Sequence, residues 1–439
     1  MLEEEKKENL KLAKKDFFVG LDIGTTKIVC LVGAKNEHGK LKILGYGKAQ
    51  SIGVKRGVVV NIVQTIESIK HAVKLAKEDA NIDVQNVSVG IAGQHIRSLQ
   101  HIDYINREDE EQTIDNSDLK KLEKNVSRLR LEPGEDILHI IPQEYKIDQQ
   151  ANILEPIGMC GSKLEANFHV VAGQTAAIRN IQRCVIDAGL NISSINLEPL
   201  ASSSAVLSED EKHAGVVLVD IGGGTTDIAI FKDGRIRHTA VIPFGGNIIT
   251  SDIKEGCAII EKQAEQLKIK FGSALPTESS ENEIVSIPGL RGRDPKEISI
   301  KNLSKIIKAR LEEILKDINR EIRIYSDQSE KNNLIGGIVL TGGGSKLKHI
   351  KQLTEFITGM SARIGFSNEH LSSGSPEELS SPIYATAVGL VLRNIDEMDS
   401  NFFHKIDKDP KKPDGISIFE KWKGGILEWL ANEKNNNEN

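Results

Sequence analysis

Three glycine-rich phrases hold the residues of this chain best suited to chemistry. The first, Asp22-Ile23-Gly24-Thr25-Thr26-Lys27, lies between two apolar, β-branched runs in residues 17–33. It reads as a hairpin whose small tip residues let backbone amides approach an anion. The second, Asp220-Ile221-Gly222-Gly223-Gly224-Thr225-Thr226-Asp227, repeats the pattern with three consecutive glycines inside a strand signal. Each such glycine costs about 0.5 to 1 kcal/mol relative to alanine, so a purely structural role explains them poorly. Two hairpins with opposed aspartates suit a nucleotide clamp. Gly24, Thr25, Thr26, Gly222, Gly223, Gly224 and Thr225 would cradle β- and γ-phosphates, Lys27 could add charge there or simply face solvent, and Asp22 and Asp220 would hold hydrated magnesium, an ion that keeps several waters and takes one or two carboxylates. The third phrase, Gly342-Gly343-Gly344-Ser345, follows a β-branched strand at 337–340 and is expected to open a helix near Lys346, with amides exposed at the turn. Any one of the three could be an inert turn; their order and spacing together are specific.

The surrounding elements must bring these phrases together. Apolar residues at helical spacing (Ile62, Ile66, Ile69, Val73, Ala76) predict a helix over 61–79, followed by a strand at 84–92. From 94 to about 174 the pattern changes to short strands and a charged helix at 117–131, the signature of an inserted α+β subdomain. Helix resumes at 175–188 and is followed by Glu198-Pro199-Leu200-Ala201-Ser202. In the second half, 247–270 and 304–328 read as long helices, and 384–393 as the last helix of the globular part. The recurrence of strand, aspartate, glycine turn and strand near residues 18 and 216 implies duplicated halves. The layout expected is a charged N-terminal tail (1–15), a first-lobe core (16–93 and 175–205) and an inserted subdomain (94–174). A second-lobe core (206–245 and 336–398) carries an outer subdomain (246–335), then come a flexible linker (399–415) and a C-terminal amphipathic helix (416–433).

Composition removes several function classes. With 57 basic and 63 acidic residues, net −6, the chain has no overall positive field for nucleic acid. The four cysteines, Cys30, Cys160, Cys184 and Cys257, are scattered and show no zinc spacing, so they read as buried thiols. No run of about 18 apolar residues is present, and the lysine- and glutamate-rich start has no apolar leader core, so neither a membrane span nor a signal peptide is expected.

The three phrases, with connecting helices at 198–207 and 383–390, resemble the superfamily of actin, sugar kinases and heat-shock chaperone ATPases. The resemblance implies an α/β fold, actin-like and ribonuclease H-like, duplicated into two lobes around a nucleotide cleft, with ATP and Mg2+ as ligands. It also implies that Glu265 and Lys268, at the spacing of an Ala-Glu-x-x-Lys helix, contact ribose and adenine; without it the two read as an exposed ion pair one turn apart. Within the superfamily, GLDIGTTKIVCLVG, SVGIAGQHI, VVLVDIGGGTTDIAIF, IPFGGNIITSDI and VLTGGGSKL resemble the FtsA family of bacterial division proteins over nearly the whole chain. Family membership would imply a peripheral protein on the cytoplasmic face of the membrane at the septum. It would tether the C-terminal peptide of tubulin-like FtsZ, form filaments with itself and recruit later division proteins, acting mainly as a scaffold with at most slow ATPase activity. The FtsZ surface is expected on 246–335, where Lys301, Lys305, Lys308 and Arg310 could receive an acidic, partly apolar peptide. The polar segment 273–296 reads as an insertion there.

The tail speaks about location. Ile416, Phe419, Trp422, Ile426 and Trp429 recur at three- or four-residue intervals, with the charges Glu420, Lys421, Lys423 and Glu428 off that stripe. Such a helix is too short to span a bilayer and suits the headgroup boundary of a lipid surface. The alternatives are another actin-like cytoskeletal or pilus-assembly ATPase, and a small-molecule kinase of the same fold, for which Glu198 or Asp220 could act as base beside the metal-holding Asp22. A chaperone is disfavoured because too few residues follow Arg393 for a substrate domain.

Overall fold

The computed structural model describes residues 17–109, 111–278, 283–289, 294–327 and 334–406. The expected N-terminal tail and the amphipathic helix 416–433 lie outside the described residues. The chain divides into two units, one ending at Arg393 and one beginning at Asn394. The first unit carries both repeated sheets and all three glycine phrases.

The first half supplies strands Phe18–Ile23 (β1), Lys27–Lys35 (β2) and Leu41–Gln50 (β3), a small ribbon of Val54–Lys55 (β4) and Val58–Val59 (β5), and Asn86–Ile91 (β6). Ile96–Asn106 (β7), Glu135–Ile147 (β8), Gln150–Ile153 (β9) and Lys163–Gln174 (β10) form a separate sheet, after which Asn191–Leu197 (β11) returns to the first. The second half repeats the pattern with Val216–Ile221 (β12), Thr226–Lys232 (β13) and Arg235–Ile242 (β14). It continues through the ribbon Ile284–Ile287 (β15) and Lys296–Ser299 (β16), then Ile338–Thr341 (β17) and Ala362–Ile364 (β18).

Duplication is visible in the topology. The first sheet runs β3-β2-β1-β6-β11 and the second β14-β13-β12-β17-β18. In both, three antiparallel strands open the sheet and two parallel strands complete it. Register makes Asp22 and Asp220 equivalent. Asp22 faces Val29, which faces Lys48, while Asp220 faces Asp227, which faces Val241. The central strands are apolar along most of their length because helices cover both faces, as parallel crossovers require. Helix Ile62–Ala80, capped by the Asn61 side chain accepting from the Gln64 amide, buries Ile69, Ala72, Val73 and Ala76 against β2 and β3.

The inserted sheet β7-β10-β8-β9 has its own core. Helix Asn116–Val126 starts at an Asp115/Asp118 capping box and buries Leu122 and Val126 among Leu164, Phe168 and Tyr145. The inserted sheet leans on β14 of the second lobe. Ser98 Oγ donates to the Thr239 carbonyl at 2.9 Å, and Arg235 donates to the carbonyls of Pro142 (3.1 Å) and Leu154 (2.8 Å).

Several sequence expectations change. The helix expected over 247–270 is two helices, Gly246–Cys257 and Glu261–Phe271, broken at Ala258, which takes a left-handed φ of 47°. The break turns the second helix so that Ala264 and Leu267 reach the core and Lys268 comes back over the first. The Gly342 turn leads into a 3-10 turn, Gly343–Lys346, and the α-helix, Ile350–Thr358, begins later. His349 at its start has φ 62°, so the chain makes one more reversal before the helix. The last described helix, Ala385–Ile406, extends past 393 and includes the start of the segment expected to be linker. Cys30, Cys184 and Cys257 are buried as expected, but Cys160 is exposed. It sits on the loop between β9 and β10, outside any core, with its thiol 3.5 Å from the Glu111 carbonyl.

Candidate functional site

The three glycine turns open on one cleft of about 760 Å³ between the two sheets. Of the nucleotide residues predicted from sequence, Gly24, Thr25, Thr26, Lys27, Gly222, Gly223, Gly224, Thr225, Glu265, Lys268, Gly342, Gly343 and Gly344 line it, with Asp22, Asp220 and Glu198. Ser345 does not: it is buried, and its hydroxyl donates to the Gly342 carbonyl at 2.8 Å, fastening the turn from behind.

The two hairpins meet tip to tip. A Cβ on Gly223 would lie 1.9 Å from Thr26 Oγ1, so a side chain where the loops converge would have to displace the Thr26 hydroxyl. The second loop is pinned by the start of helix Gly246–Cys257: the Gly246 and Asn247 amides donate to the carbonyls of Gly222 (2.9 Å) and Gly223 (2.8 Å). At the third turn Gly342 has φ 80°, and a Cβ there would meet Asp220 Oδ1 at 2.3 Å, so the turn can close over the carboxylate only without a side chain.

Behind the loops cross the connecting helices, Glu198–Val206 and the start of Ala385–Ile406. They touch at Ala201 and Gly389, where a Cβ on Gly389 would fall 1.7 Å from the Ala201 carbonyl oxygen. Both helices hold Asp220: Ser202 Oγ donates to Oδ2 at 2.8 Å, Thr386 Oγ1 at 3.4 Å, and the two hydroxyls lie 3.0 Å apart. Sequence reading assigned no role to Ser202 or Thr386. Their only signal was small polar residues in otherwise apolar helices.

Asp22, Asp220, Asp227 and Glu198 gather at this crossing. Asp22 is buried and paired with Lys27 Nζ at 3.0 Å. Asp227, part of the glycine phrase but given no role from sequence, is also buried. One of its oxygens accepts from Thr225 Oγ1 at 3.0 Å and the other, Oδ1, has no partner. Desolvation and then the Asp220 charge push Asp227 up to about 7. Asp220 is raised mainly by desolvation, with Asp22 adding and Ser202 and Lys27 opposing. Glu198 is raised well above its ordinary range, by desolvation first and then by Asp22, Asp227 and Asp220. A set of carboxylates in which Lys27 pairs one member, and another keeps an orphaned buried oxygen, fits a cation. Among the described residues no three His, Cys, Asp or Glu side chains close on a common point as ligands of a bare ion.

At the other end of the cleft, Glu265 and Lys268 are not an exposed pair. Lys268 is 9% exposed, and its ammonium donates to the Gly246 carbonyl (2.9 Å) and Thr250 Oγ1 (2.7 Å) and pairs with Glu265 at 2.7 Å. Burial lowers its pKa, against the pull of Glu265. The pair is thus fixed at the cleft wall beside Ile269, Gly272 and Leu347.

The surface candidates lie elsewhere, on helix Ile300–Asp327. Lys301 is half-buried, Lys305 is exposed, and Lys308 pairs with Glu312 at 3.5 Å. Arg310 is committed within the fold: it grips both oxygens of Asp252 at 2.6 and 3.0 Å and also pairs with Glu313. The tail residues Ile416, Phe419, Trp422, Ile426 and Trp429 are outside the described residues.

Two repeated lobes closing glycine hairpins on an acidic cleft define an actin-like protein of the ATPase superfamily. Comparison with solved structures agrees on the fold. A "PilM-PilN type IV pilus biogenesis complex" chain superposes with TM-score 0.64 at 16% identity, over 86% of this chain and 98% of that one. MreB 5 of Spiroplasma citri bound to AMPPNP superposes with TM-score 0.51 at 15% identity, over 89% and 99%. Sequence comparison goes further. The family model "Cell division protein FtsA" matches residues 217–389, and "SHS2 domain inserted in FTSA" matches residues 93–172. The cell division protein FtsA of Pseudomonas aeruginosa is 39% identical over 402 residues, 90% of this chain and 94% of its own length. The chain belongs to the FtsA family of cell division proteins.

Proposed function

We propose that this division protein binds ATP with hydrated Mg2+ in the cleft and links FtsZ to the cytoplasmic face of the membrane. The observation that carries the first part is the convergence of both glycine hairpins and the Gly342 turn on a carboxylate cluster. A protein of the same fold solved with AMPPNP supports the same reading. In this assignment Gly24, Thr25, Thr26, Lys27, Gly222, Gly223, Gly224 and Thr225 surround the phosphates, with Asp22 and Asp220 facing the hydrated ion. Glu265, Lys268, Gly342, Gly343 and Gly344 surround the nucleoside, and Ser345 shapes the turn. Magnesium, when bound, supplies countercharge to the phosphates and relieves repulsion among Asp220, Asp227 and Glu198. In this reading Glu198 orients water at the cleft floor, with at most slow hydrolysis.

The lobes divide as first-lobe core, inserted subdomain 94–174, second-lobe core and outer subdomain 246–335. The FtsZ C-terminal peptide docks on the outer subdomain at Lys301, Lys305 and Lys308, while Arg310 braces that helix against Asp252. Unlike surfaces on the two lobes give a head-to-tail, propagating contact, hence filaments. The tail helix, with Ile416, Phe419, Trp422, Ile426 and Trp429 on its apolar face, binds lipid weakly as one copy and firmly as a filament. Later division proteins are recruited to that assembly at the septum. The test is twofold. Asp22→Ala and Asp220→Ala should each weaken Mg-ATP binding in a fluorescent-nucleotide titration. Lys305→Glu with Lys308→Glu should lower capture of an FtsZ tail peptide at unchanged ATP affinity. Full ATP affinity in both aspartate variants removes the cleft assignment, and undiminished peptide capture removes the docking surface.

A further inference from the structure

The duplicated sheets make the two walls of the cleft comparable residue by residue, and they differ in charge. The row Asp22–Val29–Lys48 on β1, β2 and β3 corresponds to Asp220–Asp227–Val241 on β12, β13 and β14. Directly opposed residues on neighbouring strands share a face, so each row presents its side chains to one wall. Where the second lobe adds an anion, Asp227, the first adds a cation, Lys48. Lys27 is already spent on Asp22 at 3.0 Å. The ammonium of Lys48 is 3.4 Å from Tyr384 Oη and 5.5 Å from the centre of the Tyr384 ring, over which Lys27 also sits at 6.0 Å. Lys48 lines the cleft with an exposed side chain, and Lys346 of the third glycine turn lines the same space. Desolvation, followed by the like charges of Lys27 and Lys346, lowers its pKa. Three ammonium groups around one concavity repel each other unless a polyanion joins them.

We propose that Lys48 is a polyphosphate contact of the cleft, positioned by Tyr384, and that with Lys27 it gives the first-lobe wall its positive charge opposite the Asp220 and Asp227 carboxylates of the second lobe. This deepens the nucleotide reading above and rests on it. The Tyr384 ring beside both ammonium groups keeps the lysine stems upright toward the cleft, and its hydroxyl, 3.4 Å from Glu378, anchors the ring from the outer side.

The test is titration of the full chain with Mg-ATP, Mg-ADP and adenosine at low and high salt, for wild type, Lys48→Gln and Lys48→Arg. Glutamine keeps most of the stem, and equal unfolding midpoints check that the fold is intact. Lys48→Gln should lose about tenfold in ATP affinity, or about 1.4 kcal/mol, lose less for ADP and nothing for adenosine, and show a weaker salt dependence. Lys48→Arg should stay within about threefold of wild type, since a charge-assisted contact survives the exchange. Wild-type ATP binding left unchanged in Lys48→Gln overturns this proposal alone. Equal losses for ATP and adenosine also overturn it, showing that Lys48 acts only on cleft shape through Tyr384. No nucleotide binding by the wild type would overturn the cleft reading itself and this proposal with it.

Discussion

Asp227 offers a quantitative check on the acidic wall that needs no ligand. Its carboxyl is buried, has one hydrogen bond from Thr225 and an orphaned Oδ1, and is pushed from 3.8 up to about 7 by desolvation and by Asp220. Because the folded pKa lies above the unfolded one, the folded chain binds more protons between those values. Stability should therefore be highest below about pH 4 for this group and fall as pH rises toward 7. Between pH 5 and pH 8 the group titrates over about 2 units, at about 1.36 kcal/mol per unit, so its contribution changes by about 3 kcal/mol at most. Asp227→Asn removes the charge and keeps an acceptor for Thr225. Its amide nitrogen inherits the unpartnered Oδ1 position at a cost of about 1–3 kcal/mol, a cost independent of pH. The quantity to measure is thus the change in the difference between variant and wild type, by urea unfolding of the metal- and nucleotide-free chain at pH 5, 6, 7 and 8. Asp227→Asn should gain on wild type by about 2–3 kcal/mol from pH 5 to pH 8. Parallel pH profiles would refute the reasoning, because they would mean that Asp227 ionises in the fold at its ordinary pKa.

Other outcomes rest on the packing. Gly223→Ala puts a methyl against Thr26 Oγ1 and should lower both the unfolding midpoint and ATP affinity, by about 1–3 kcal/mol of strain; adding Thr26→Ala should recover part of the loss, and a double variant no better than the single would show the contact is not the cause. Gly389→Ala drives a Cβ into the Ala201 carbonyl at the helix crossing and should cost about 3 kcal/mol or more, read by thermal unfolding. Lys268→Met removes a donor to the Gly246 carbonyl and the Thr250 hydroxyl and leaves the Glu265 carboxylate without its cation, and about 2–3 kcal/mol of stability should go with them, alongside weaker nucleotide binding. Deleting 415–439, or Trp422→Glu with Trp429→Glu, should leave ATP binding intact and abolish sedimentation with liposomes.

Much of the candidate cleft was legible in the chain because turns that approach one another closely must be built from contiguous small residues. Glycines at 222–224 and 342–344, and the repeated aspartate before each hairpin, carry that requirement openly, and their repetition foretold the matching sheets. Periodicity likewise marked helix Ile62–Ala80, whose cap at Asn61 only the structure supplied. Other features depend on residues far apart in sequence. Thr386 lies 166 residues from Asp220 and 184 from Ser202, and nothing local distinguishes these hydroxyls from solvent-facing ones until two helices cross at Ala201 and Gly389. The break at Ala258 was hidden because a left-handed alanine has no sequence signal, and only packing of Ala264 and Leu267 into the core decides it. The same holds for the charge of the walls. Asp227 and Lys48 stand on ordinary strands, and it is register, set by three-strand pairing in each lobe, that brings each into the row of its lobe's first aspartate. Arg310 shows the reverse: helical charge spacing suggested an open cation, whereas folding brings Asp252, 58 residues away, against its guanidinium. Local sequence determined which segments could turn sharply and which could coil; tertiary structure decided which charges are buried, paired or left over, because desolvation and pairing depend on neighbours that only the folded chain supplies.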